Sequence, residues 1–130
     1  MLLIRTALVA LAAGTALGAV LLGAPGTARV SGWRPLHAEL LLMGWTVQLA
    51  FGVAYWILPR FRHGRERGHE WLAWSAFVLI NVGTVLAGAG RSVAGWETGA
   101  LAGRCAEGLA AVAFAAHAWG RVKPFRSGPI

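Results

Sequence analysis

Polar residues interrupt this chain at only a few places, and between them lie four apolar runs. Each is near the ~20 residues that cross a hydrocarbon core. They extend from about Leu2 to Leu22, Leu36 to Leu58, Trp71 to Ala89 and Gly99 to Trp119. The first exceeds the length of a secretory-signal core, despite a weak cleavage-like site at Gly26-Thr27-Ala28, and is expected to be a retained helix. The fourth contains Arg104 and Glu107, so a shorter helix beginning at Cys105 is an alternative. The connectors carry turn chemistry. Ala24-Pro25-Gly26 follows the first run, Pro35 opens the second and Pro59 ends it. A glycine-punctuated polar stretch runs from Arg62 to Gly68, and a short turn from Arg91 to Gly95. Four short-looped spans predict an all-α membrane protein, a single antiparallel up-down four-helix transmembrane bundle.

Composition supports a bilayer as the solvent. Hydrophobic residues make up 57% of the 130 and charged residues 13%, against about 25% charged in a typical soluble domain. Mean hydropathy is +0.59. The formal charge of +7 would suit nucleic acid on a water-soluble fold. Here the basic residues fall in connectors, where they set topology, so the expected partners are membrane lipids and other membrane subunits, or further copies of the chain.

With the N-terminus inside, one side collects Arg5, Arg60, Arg62, Arg65, Arg67, Arg121, Lys123 and Arg126. The other side holds Arg29, Arg34, Arg91 and Arg104. This bias predicts an N-in/C-in protein of the bacterial inner membrane. Trp33 and Trp96 would mark the outer interface, and Tyr55, Trp56, Trp71, Trp74 and Trp119 the inner one. Gly14-x-x-x-Gly18 and Gly99-x-x-x-Gly103 predict close helix packing. The single cysteine, Cys105, excludes an intrachain disulfide.

The second run carries the candidate chemistry. It reads LHAELLLMGWTVQLAFGVAYWILPRF and contains His37, Glu39, Gln48 and Tyr55. At about 100° per residue, His37, Leu41, Gly44, Gln48 and Tyr55 share one stripe. Polar groups at membrane depth face a cavity, a cofactor or a neighbouring helix. Gly44, with Gly52 beside it, would leave room for a flat ligand. Hydration of His37 at the headgroups and an ordinary interhelical bond from Gln48 form the structural alternative.

The histidine at the helix opening, the LLLMGW run, Phe51-Gly52, Tyr55-Trp56 and Pro59-Arg60 resemble the second helix of haem-copper oxidase catalytic subunits. They also resemble short bacterial membrane proteins related to that subunit, in which His-Ala-His often opens the helix. The likeness covers about a fifth of the chain, and Glu39 stands where those relatives have a second histidine. The resemblance implies an axial-ligand role for His37 on a haem b, and cationic partners for the propionates at Arg104 or Arg91. It does not extend to the further histidines of the oxygen-reducing centre. His117 falls near the opposite membrane face, roughly 25 Å from the depth of His37, so the two cannot share an iron. A haem on His37 would be five-coordinate or take a ligand from another subunit.

Arg104 and Glu107, at i and i+3, could instead pair with each other. Asn81 and Thr84 are expected to bond between helices. His63, Glu66, His69 and Glu70 match no zinc-ligand spacing. No nucleophile with an adjacent base is evident, so catalysis by this chain alone is not expected. Two functions follow from the sequence. One is an accessory membrane subunit of a respiratory or photosynthetic electron-transfer complex. The other is a haem-binding electron-transfer or sensor protein.

Overall fold

The computed structural model describes residues 2–23, 28–58 and 69–122. The described residues form four helices long and apolar enough to cross a membrane, with no strand among them. They are α1 (Leu2–Gly23), α2 (Arg34–Ile57), α3 (Glu70–Ser92) and α4 (Glu97–Trp119). A single helical turn, Ala28–Ser31, precedes α2. The Ala24-Pro25-Gly26 turn, the Pro59 stop, the polar loop through Gly68, Lys123 and Arg126 lie outside the described residues.

Pro35 sits in the first turn of α2, where its missing N–H costs no hydrogen bond. α3 continues through Arg91 to Ser92, beyond the turn expected there. The chain then turns through Val93–Trp96, and Gly95 adopts φ +81°, a left-handed conformation open to glycine at little cost. α4 begins at Glu97, so Arg104 and Glu107 are helical and the shorter alternative starting at Cys105 is overturned.

α2 is not a uniform α-helix. Leu40–Val47 is π-helical, between α-helical segments Arg34–Glu39 and Gln48–Ile57. The Gln48 N–H reaches Met43 O, five residues back, and the Thr46 hydroxyl donates to Leu41 O at 2.9 Å. A widened turn rotates everything before it relative to everything after. The buried positions along α2 are accordingly Glu39, Gly44, Gln48 and Gly52, a five-residue step followed by two of four.

The core is built from small side chains. Ala7, Ala76, Ile80, Ala87 and Ala110 are wholly buried, and Phe114 is the large aromatic among them. Small residues at such contacts let helix backbones approach closely. Both glycine ridges act this way. Gly14 lies under Leu40 and Leu41, and Gly18 under the His37 ring. A Cβ on Gly103 would overlap the backbone of Ala87, and one on Gly90 the backbone of Ala100. Large apolar side chains line the outside of every span, including Leu8, Val20, Val53, Val82, Leu109 and Val112.

Candidate functional site

α2 and α4 meet through long side chains in three polar and aromatic layers. At one end Arg104 meets Glu39. In the middle the rings of Phe51 and Phe114 stack at 4.3 Å between centroids, 4° from parallel. At the other end Tyr55 stacks on His117 at 5.5 Å.

The first layer is the most heavily charged. Arg104 holds both Glu39 oxygens, with Nη2 donating to Oε2 at 2.7 Å and Nη1 to Oε1 at 2.9 Å. Nη1 also donates to Glu107 Oε2 at 3.0 Å. One guanidinium therefore serves two carboxylates from two helices, and the two sit as near neighbours on a single nitrogen. Both carboxylate side chains are 4% exposed, whereas Arg104 is 42% exposed. α3 receives the two acidic stems in glycine notches. A Cβ on Gly83 would lie 2.8 Å from Glu107 Cγ, and one on Gly88 3.2 Å from Glu39 Cβ. Glu107 Oε1 is buried with no hydrogen-bond partner among the described residues, as is Thr84 Oγ1.

The expected i,i+3 pair of Arg104 and Glu107 is present, and Glu39 joins it from α2. The spacing rule hid this role. At 100° per residue Glu39 lies well off the face of Gly44, whereas the π-helical turn brings both onto the buried side. The signal that could have found it was charge balance, since an arginine within an apolar span calls for acidic partners on neighbouring helices.

His37 faces α1. Its Nδ1 lies 2.8 Å from the Gly14 carbonyl oxygen. A carbonyl only accepts, so Nδ1 is the donor and Nε2 keeps its lone pair. Gln48, fully buried, donates from Nε2 to the Thr6 hydroxyl on α1. Gly44 lies against Ala10 Cβ at 3.0 Å and Thr84 Cγ2 at 3.3 Å from where its own Cβ would be. Arg91 is exposed at the end of α3. The structure thus gathers Arg104 with Glu39 and Glu107, while His37 and Gln48 join α1 and Arg91 stands apart. Asn81 bonds within its own helix, donating to Phe77 O at 2.7 Å, which corrects the expectation of an interhelical bond.

The far layer is a clamp. Arg121 is 1% exposed and donates from Nη2 to Tyr55 O at 3.0 Å and Leu58 O at 2.6 Å, carbonyls at the C-terminal end of α2. Its Nη1 lies 3.1 Å from His117 Nε2, which therefore accepts, while His117 Nδ1 donates to His69 O at 3.1 Å. Both nitrogens of His117 are thus engaged in positioning.

An open groove of about 120 Å³ lies at this end among Leu3, Gly52, Tyr55, Trp74 and Phe77. No group of three or more His, Cys, Asp or Glu side chains suited to a metal ion occurs among the described residues. Comparison with known proteins gave no matching family model, no matching curated protein and no matching solved structure.

Proposed function

We propose that this chain is a small accessory subunit of a bacterial inner-membrane electron-transfer complex. In this reading it is an up-down-up-down bundle with both termini in the cytoplasm and the Glu39–Arg104–Glu107 layer toward the outer face. The observation that carries the reading is how the polar groups of α2 are used. His37 holds Gly14, Gln48 holds Thr6 and Glu39 holds Arg104, so each fastens one helix to another. These three side chains are committed to the protein's own architecture, and the broad apolar exterior is available to lipid and neighbouring subunits. The electron-transfer setting rests on the oxidase-like pattern from Leu36 to Phe61. Mild-detergent purification from the native membrane, followed by native mass and absorption measurements, tests this. The expected result is co-migration with a redox-active complex far heavier than the 13.7 kDa chain. Recovery only as a free monomer would overturn the proposal.

One observation favours a second reading, haem b binding through His37. A metal-ligating histidine commonly donates its other ring nitrogen to a carbonyl, and the Nδ1–Gly14 contact leaves Nε2 free to ligate. Haem would supply reversible one-electron chemistry. His37 fits as one ligand, but His117 does not fit as the second, because both of its nitrogens are engaged at the far layer. Arg104 is already committed to two carboxylates, so a propionate would compete with them. A Soret band from the chain expressed alone, lost in His37→Ala, would establish this reading; a colourless folded preparation from haem-replete cells would exclude it.

A further inference from the structure

We propose that Glu39 and Glu107 together bind one exchangeable proton, which makes the Arg104 layer a proton-binding site within the membrane. The argument is one of charge stoichiometry and does not depend on the electron-transfer reading. Two carboxylates and one guanidinium carry a net charge of −1 when all are ionised. Glu107 lies ten residues into α4, about 15 Å from its start and near the middle of a bilayer-spanning helix. An uncompensated charge there is expensive.

Among the described residues no cation other than Arg104 is paired with either carboxylate. From α3 the facing positions are Gly83, Thr84 and Gly88, and Arg91 is exposed one turn beyond. On α2, His37 is turned toward Gly14 of α1 and Arg34 is exposed at the helix start. α1 meets this end through Gly14 and Gly18, with its Arg5 near the far end of the bundle. On α4, Glu97 is exposed at the helix start and adds no positive charge.

The geometry also offers the proton a place. Glu107 Oε1 is buried without a partner, while its other oxygen and both oxygens of Glu39 accept from Arg104. Water at the membrane face delivers a proton past the half-exposed guanidinium. An O–H bond forms at the carboxylate pair, hydroxide is left in the water, and the layer becomes neutral. Release reverses the same step. Two adjacent carboxylates titrate as a unit, so the proton belongs to the pair.

All five acidic residues of this chain are glutamate, which makes infrared spectroscopy decisive. Protein labelled with carboxyl-13C glutamate would be measured at neutral pH in dodecyl maltoside, a detergent without ester carbonyls. The wild type should show a labelled carboxylic-acid C=O band integrating to one group per chain and shifting in D2O. Glu39→Gln and Glu107→Gln should each abolish it, because a single carboxylate balances Arg104. Arg104→Gln should raise it to two groups.

Absence of the wild-type band, failure to shift in D2O, or survival of the band at full intensity in either glutamate variant would overturn the proposal. Loss of the band on adding sodium or potassium at constant pH would overturn it too, by assigning the charge to a metal cation. If a glutamine variant does not fold, the labelled wild type still decides through its band area and its shift in D2O.

Discussion

Glu39 and Arg104 lie 65 positions apart in sequence and meet through two parallel N–H···O bonds of 2.7 and 2.9 Å. The forked guanidinium matches the planar carboxylate at both ends, an arrangement stronger and more directional than a single ionic contact. It ties α2 to α4 at a level where neither backbone offers a hydrogen bond to the other.

Removing the cation should cost more than removing either anion. Arg104→Ala leaves two carboxylates, each 4% exposed, without their counter-charge. A loss of about 3 kcal/mol is expected, at the low end for a broken buried pair because Arg104 itself is partly exposed. Arg104→Lys should recover only part of this, since an ammonium cannot reproduce the fork. Thermal unfolding in micelles measures both, and wild-type stability in Arg104→Ala would contradict the assignment.

The α3–α4 contact depends on hydrogen atoms where other residues carry Cβ. Gly103→Leu would push the helix against the backbone of Ala87 and force the pair apart. The expected outcome is loss of the folded protein or a destabilisation of several kcal/mol, on the order of 3 or more. Gly108, with nothing within 4 Å of its Cβ position, is the control. Gly108→Ala should be neutral or stabilising by about 0.5–1 kcal/mol.

Gln48 and Thr6 should show measurable energetic coupling. A double-mutant cycle with Gln48→Leu and Thr6→Val should return about 0.6 kcal/mol, the usual value for a side-chain bond between membrane helices. Strict additivity would mean that the contact contributes nothing to stability.

Arg121 secures the opposite end. Arg121→Ala would free the Tyr55 and Leu58 carbonyls that it now binds. Hydrogen bonds to charged groups contribute about 1.5–3 kcal/mol each, so a loss of about 3 kcal/mol is expected. Amide hydrogen exchange should rise around Tyr55–Leu58 more than around Gly44. A uniform rise along α2 would argue against a local clamp.

The four spans were legible in the sequence to within three residues at each end, because lipid demands about 20 apolar positions whatever the packing. The small-residue ridges were legible too, since close helix approach needs them. The pairing of Arg104 with Glu107 followed from their i,i+3 spacing. Glu39 was harder to place. A fixed 100° rotation puts it off the face of Gly44, and the π-helical turn at Leu40–Val47 cancels that offset. No local residue pattern announced the wide turn.

By itself the sequence determined the number of membrane-length apolar helices and the residue types that close contacts would require. These depend on composition and on hydrophobic length, quantities summed along the chain. Tertiary structure decided which polar groups meet. His37 turned to a carbonyl on α1, Gln48 to a hydroxyl on the same helix, and Glu39 to a guanidinium on α4. Helix rotation settles that choice, and rotation follows from backbone distances between helices and from one widened turn that no hydropathy pattern encodes.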